Sequence, residues 1–479
     1  MSSGSEIRTI HSHPLTPRET RHALLVAAIA WGVFGSAAMT MLGGAPLVTF
    51  LREKLHVSTF MYGLISALPA LTVFAQLWGS LIVERTRRRK RLFLICGTIS
   101  RLGWLLVAAL PWVIPEAHRE ARIAVFLGLI VLGSLLSHIS TPAWFSWFGD
   151  MMPENIRARY LSKRAALSTV TMVIVGLIVP AIVDWDSSLL TFSFIFVVAT
   201  LFGVTDILLF RTVREPEMPP HEGPPWTVWA VLIQPLRNAR FRPYLRYVFC
   251  ELFMFGIAGP FFMLMALEFL KIGNLRSTIY VNTIPLAVTA VALPLWGGIC
   301  DRFGARPTVK LGTIISTVFP ICYLFATPDH YVWLLSTAAV VGGVFGAAIQ
   351  TADMSMMYLH TPRESRSVYM ACLMLANSLG WGIAPALSGA AAQALKPIHL
   401  HLAGFTFGNL HFLMAASLLA RILHVLFVIP RLPEENARTT RELARHLLRA
   451  PWVWLSEGFT KVTSDARELV QARSRRDED

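Results

Sequence analysis

Twelve apolar stretches, each long enough to cross a lipid bilayer, leave this chain few folds to choose from. A helix needs about 20 apolar residues to span the hydrocarbon core. The runs lie at about 22–50, 59–83, 91–114, 122–148, 164–183, 188–210, 243–269, 277–300, 308–327, 331–358, 367–394 and 406–430. Lipid offers no partner to a backbone N–H or C=O, so each run must satisfy its own and is predicted to be helical. Composition agrees, with 54% of the 479 residues hydrophobic and only 15% charged. Soluble proteins carry about 25% charged residues. The expected class is an all-α integral membrane protein with twelve transmembrane helices.

Net charge is +14. The bases cluster between the runs, so they read as topology signals and not as a nucleic-acid surface. With the amino terminus inside, the inner loops hold 21 Lys and Arg and the outer loops 7. Both termini are therefore expected in the cytoplasm, with the chain passing many times through the cytoplasmic (inner) membrane. The first 21 residues are polar, and the run after them exceeds a signal-peptide core of about 7–15 residues. Cys96, Cys250, Cys300, Cys322 and Cys372 fall in or at the ends of apolar runs, with no CxxC pair, and read as small packing residues.

Residues 211–242 interrupt the pattern. REPEMPPHEGPP is a linker rich in Pro and acid. WTVWAVLIQPLRN follows and places Trp226, Trp229, Leu232 and Ile233 on one helical face, as in an interfacial helix. The division is then an amino-terminal tail 1–21, a six-helix bundle 22–210, the linker 211–242, a second six-helix bundle 243–430 and a carboxyl tail 431–479. In that tail, LARHLLRAPWVWL either stays solvated or lies on the inner leaflet with Trp452 and Trp454 at headgroup depth.

The two halves echo each other. GGICDRFGAR carries Gly297, Asp301, Arg302, Gly304 and Arg306. SLIVERTRRRK places Ser80, Glu84 and Arg85 at the matching positions, with Arg87 where the second copy has its later glycine and Arg88 taken as the later base. Pro153, Arg157 and Tyr160 recur as Pro362, Arg366 and Tyr369. A half-chain repeat in a polytopic membrane protein points to a transporter built from two related halves.

The pattern Gly-x-x-x-Asp-Arg-x-Gly-x-Arg resembles the cytoplasmic-loop signature of the major facilitator superfamily, found between helices 2 and 3 and again between 8 and 9. The resemblance covers roughly residues 20 to 430 and says little about substrate. It implies two pseudo-symmetric six-helix bundles, secondary transport by alternating access, a small-molecule substrate and no cofactor. It also implies a cytoplasmic latch, in which the loop acid approaches the start of a neighbouring helix and a base. Asp301 with Arg302 and Arg306, flanked by Gly297 and Gly304, matches residue by residue; Glu84 with Arg85 and Arg88 matches less fully. Asp150 is the candidate to complete the first network with Arg88.

Ionisable groups inside spans cost several kcal/mol, so Arg101, His138, Asp206, Glu251, Asp353 and Arg421 are functional candidates. At about 1.5 Å per residue, Arg101 and His138 lie near the midplane, Glu251 and Asp353 in the inner third. Helices 1, 4, 7 and 10 line the cavity in the family this chain resembles, and His138, Glu251 and Asp353 fall on those helices. Trp31, Trp144, Gln350, Asn377 and Trp381 are candidates for stacking and hydrogen bonding to a solute. Two arrangements stay open for Glu251. It pairs structurally with Arg421 at matched depth, or it serves proton or cation coupling with Asp353 as companion.

HExxH, GxSxG, a Gly-Lys-Ser/Thr phosphate loop and CxxC are all missing from the sequence. No catalytic residue, metal site or enzyme activity is expected. The expected partners are a small polar or amphipathic organic solute, the bilayer, and protons or another coupling ion; no nucleic acid is expected, and the expected state is a monomer. The alternative keeps the fold without transport, as a membrane sensor or assembly scaffold.

Overall fold

The computed structural model describes residues 15–153, 156–216, 233, 235–361, 366–402, 405–434 and 438–449, apart from the side chains of 157–159, 162, 366–368, 402 and 449. Among the described residues, twelve helices are long and apolar enough to cross a membrane, one for each predicted run. The first six are α1 (Pro17–Lys54), α2 (Thr59–Thr86), α3 (Arg89–Val113), α4 (Glu116–Met151), α5 (Lys163–Trp185) and α6 (Leu189–Thr212). The second six are α7 (Arg242–Phe269), α8 (Asn274–Phe303), α9 (Ala305–Phe325), α10 (Tyr331–His360), α11 (Tyr369–Ala394) and α12 (Asn409–Arg431). A short helix, α13 (Thr440–Arg449), follows. A hairpin of β1 (Leu400–Leu402) and β2 (Phe405–Phe407) lies between α11 and α12. Trp226, Trp229, Leu232, Pro362, Trp452 and Trp454 lie outside the described residues, as do the side chains of Arg157 and Arg366.

The helix surfaces explain why water is the wrong solvent. On α3, Ile95, Ile99, Leu102 and Leu106 form an i, i+4, i+7, i+11 stripe, and each is exposed. Contiguous exposed apolar surface of that kind is a liability in water and ordinary against acyl chains.

The described chain divides into two compact units, one within Met1–His56 and Thr72–Trp226, the other within Val57–Leu71 and Thr227–Asp479. In the first, α3 packs on α4 and α6, the later half of α2 on α4, and α1 on α5 and α6. Its core gathers Phe93, Trp147, Phe148, Ile207 and Phe210. Thr16 and Glu19 cap α1 reciprocally, with Pro17 at the first helical position. In the second, α7 packs on α11 and α12, and α10 on both α8 and α9. Phe241, Tyr244, Tyr247, Met356 and Tyr369 are at its core.

The sequence division assigns all of α2 to the first bundle, whereas residues 57–71 pack within the second unit. Two features account for the split. The helix holds Pro69 and gives way to a tighter turn at Thr72–Phe74, as expected where a proline removes a backbone donor. The half before that break lies against α11 with Gly63 on Gly389, where an added Cβ at Gly63 would come within 2.4 Å of the Pro385 carbonyl oxygen.

The repeated tyrosines each tie their helix to a neighbouring segment, through different bonds. Tyr160 donates to the Leu24 carbonyl of α1 at 2.7 Å, and burial pushes its phenol up to about 12, so it stays a donor. Tyr369 accepts from Asn238, just before α7, at 2.9 Å, and its ring packs edge-on to Phe241.

Candidate functional site

The first unit holds an open recess of about 150 Å³ lined by residues of α1, α3, α4, α5 and α6. Arg101 of α3 and Asp206 of α6 approach to 3.9 Å, and the second guanidinium nitrogen of Arg101 donates to Met39 Sδ at 3.4 Å. Small residues make this meeting fit. A Cβ at Gly203, one turn before Asp206, would fall 2.9 Å from the Arg101 stem, and one at Gly35 would fall 2.7 Å from the Asp206 carboxylate. Arg164 of α5 enters the same recess, its Nε donating to the Ala27 carbonyl at 3.1 Å. Its guanidinium lies 5.9 Å from the ring centres of Trp31 and Trp144 and 5.1 Å from that of Phe148. Ser100, Ser137, Ser140 and Thr141 supply hydroxyls.

Among the predicted residues, Trp31, Arg101 and Trp144 thus come together. Trp144 also stacks on Phe93 and Phe148, at 5.2 and 4.8 Å. His138 is not in this lining; its Nδ1 meets the Gln76 amide of α2 at 3.1 Å. Sequence reasoning missed Arg164, which sits at the start of its run and reads there as one more loop base. The available signal was Tyr160, four residues earlier, in a repeat whose helix face turns toward α1.

A second polar cluster lies within the second unit, on α7, α10 and α12. Tyr247 donates to Asp353 Oδ1 at 2.7 Å, and Glu251 is within hydrogen-bonding reach of both Tyr247 and Asp353. Glu251 is 2% exposed, and its Oε1 is buried without a hydrogen-bond partner among the described residues. Tyr244 stacks on His360 at 4.7 Å, and Tyr247 faces His424 at 5.2 Å. Both ring nitrogens of His424 are buried and unpartnered among the described residues. Helical spacing explains the grouping, because Tyr244, Tyr247 and Glu251 follow one another at i, i+3, i+7 on one face of α7.

The expected Glu251–Arg421 pair does not form. Arg421 Nη1 instead donates to Ser316 Oγ at 2.7 Å and to its carbonyl at 3.3 Å, and the guanidinium lies 4.7 Å from the Phe255 ring centre. The two side chains face different neighbours: Arg421 turns toward α9 while Glu251 turns toward α10. Of the remaining candidates, Gln350 is exposed, Asn377 half-buried, and Trp381 packs over Gly259 of α7.

The signature loops are built differently from each other. In the first, Glu84, Arg85 and Arg88 are exposed, and Asp150 pairs with Arg89 at 2.5 Å in place of Arg88. Arg88 precedes the first turn of α3 and points out; Arg89 begins the helix and is fully buried. Arg89 also meets Ser146 at 3.0 Å, the Pro216 carbonyl at 2.9 Å and Glu215 at 3.6 Å. In the second loop, Asp301 and Arg302 are exposed. The start of α9 is capped by Glu434, which accepts from the backbone N–H groups of Ala305 and Arg306 at 2.7 Å each. Arg306 Nη1 reaches the Leu432 carbonyl at 3.2 Å. Glu215 and Glu434, each just beyond the last helix of its half, were both missed, because the signature itself contains other acids.

Two stretches of the chain, residues 23–280 and 271–462, match the model of the Major Facilitator Superfamily. A curated relative, Protein ZINC INDUCED FACILITATOR 1 of Arabidopsis thaliana, is 32% identical over 111 residues, which take in 22% of this chain and 21% of that protein. Solved structures share the fold at low identity. A bacterial homolog of the human lysosomal transporter Spinster, in an inward-facing and occupied conformation, matches with a TM-score of 0.65 at 14% identity, covering 88% of this chain and 98% of that one. The nucleoside transporter NupG gives 0.58 at 13%, covering 87% and 100%. The xylose transporter XylE from E. coli gives 0.60 at 14%, covering 89% and 99%.

Proposed function

The chain belongs to the major facilitator superfamily, and we propose that it is a transporter, not an enzyme, and moves a small polar or amphipathic organic solute across the cytoplasmic membrane by alternating access, driven by protons. The observation that carries the proton assignment is the Glu251–Asp353–Tyr247 cluster. Two carboxyl groups buried side by side repel each other unless one of them holds a proton. A buried acid pair that gains and loses that proton changes its own hydrogen bonding, and so biases the helices that hold it. α7 and α10 carry the pair, so proton transfer there acts on the packing of the second unit.

In this reading the Arg89 and Glu434 networks hold the loop ends of α3 and α9 while solute-binding helices move, and both termini face the cytoplasm. The solute is the first thing to identify. Purified protein heated with monosaccharides, nucleosides and short organic acids will melt higher with its ligand, by about 2.7 kcal/mol of added stability at a hundredfold excess over Kd. Solutes that raise the melting temperature are expected to exchange across sealed proteoliposomes. Stabilising solutes that never exchange would remove transport from the account.

A further inference from the structure

The recess of the first unit carries more positive than negative charge. Arg101 and Arg164 are two cations that keep their charge in any protein environment, and Asp206 offsets at most one of them. No other ionisable side chain lines the recess among the described residues. Charge held in a partly buried recess without a counter-charge is costly, and here the shortfall is local. Each guanidinium carries several N–H donors in a planar fork suited to a carboxylate. Among the described residues, Arg164 uses only Nε, toward the Ala27 carbonyl.

The surroundings add a second requirement. Trp31 and Trp144 flank the Arg164 guanidinium, each 5.9 Å from it, with Ser137 and Thr141 on the adjoining face of α4. A carboxylate on Arg164 would therefore have indole surface beside it. A space of about 150 Å³ is the size that accepts a benzene ring in an apolar cavity. We propose that this recess binds an organic anion, a carboxylate attached to an aromatic ring, with the carboxylate on Arg164 and the ring against Trp31. The assignment names the solute class for the transport reading and rests on it only for its biological meaning, since binding is measurable without transport.

The test is a calorimetric titration of the purified full chain with benzoate, benzamide, benzylamine and acetate. Benzoate is expected to bind, with the neutral, cationic and ringless probes each at least tenfold weaker. Arg164→Gln should weaken benzoate at least tenfold and Arg164→Lys by less, because the charge stays and the fork is lost. Benzamide binding as tightly as benzoate, or benzoate affinity unchanged in a folded Arg164→Gln protein, overturns the proposal. Should Arg164→Gln fail to fold, the comparison of the four probes on the unaltered chain decides alone. Benzoate binding without exchange in proteoliposomes would keep this assignment and remove the transport reading; exchange of a neutral solute without benzoate binding would do the opposite.

Discussion

Arg89 shows how much one residue's register matters at a helix start. Its guanidinium is buried and joins Ser146, Asp150, Glu215 and the Pro216 carbonyl. Removing it leaves acids without their donor, so Arg89→Gln should destabilise the first unit by about 1–3 kcal/mol. Asp150 is about half exposed (47%), which keeps the effect below that of a fully buried pair. Arg88→Gln, one residue away and exposed, should stay within about 0.5 kcal/mol. Thermal melts of both variants check the contrast. The loop copies make a second residue-scale pair. Arg87 has φ 52° at the end of α2 and Gly304 φ 99°, ψ 162° at the end of α8. The first is strained for a side chain by about 1–2 kcal/mol; the second is a region that essentially only glycine enters. Gly304→Ala should cost about 1–3 kcal/mol, whereas Arg87→Gly should be neutral or stabilising. The sequence exposed this difference, since Arg87 stands where the pattern asks for glycine. It also pointed to Arg89, which stands five residues after Glu84 as Arg306 stands five after Asp301; taking Arg88 as the later base is one residue out of that register.

Elements are held at their ends by groups that a span count does not register. Glu434 lies beyond α12, yet it caps α9 through two backbone N–H groups. An anion there also meets the positive end of the helix dipole. Glu434→Gln should lower stability by about 0.5–2 kcal/mol, read as a drop in melting temperature. α13 packs on α9 with Leu443 fully buried. The loop before α6 offers a pH test. Asp186 accepts from Thr191 Oγ1, Ser188 Oγ and Ser188 N–H, which holds its carboxyl below the usual range. A depressed folded value means the stabilisation is complete above about pH 4 and fades as pH falls through the folded value. Asp186→Asn should therefore melt below the unaltered protein at pH 7, with the gap closing toward pH 3. The twelve helices were legible because lipid demands a long apolar run for each. Their facing was not, as Arg421 shows: depth follows from residue counts, while rotation depends on which neighbours pack, and a single sequence does not state that. The split of α2 at Thr72–Phe74 belongs to the same class, with Pro69 the one visible sign.

At the scale of the whole molecule, loop charge predicts both termini in the cytoplasm and the α5–α6 loop outside. A cysteine at Ser187 in a protein lacking the five native cysteines should react with an impermeant thiol reagent added to intact cells; protection there, with a reactive amino terminus, would invert the topology. The polar groups concentrate in two places, a cationic recess in the first unit and a carboxyl cluster in the second. Sequence reasoning picked out Arg101, Glu251 and Asp353 from their cost in lipid, and missed Tyr247 and Arg164, which carry no such flag. In the proposed function, the Glu251–Asp353 pair couples protons to solute movement. The most direct measurement of that coupling uses proteoliposomes loaded with a pH-sensitive dye and supplied with the solute that most stabilises the purified protein. Solute entry is expected to be accompanied by a proton flux, and Glu251→Gln protein is expected still to exchange solute but no longer to accumulate it on an imposed pH gradient. Gradient-driven accumulation unchanged in a folded Glu251→Gln protein would contradict it.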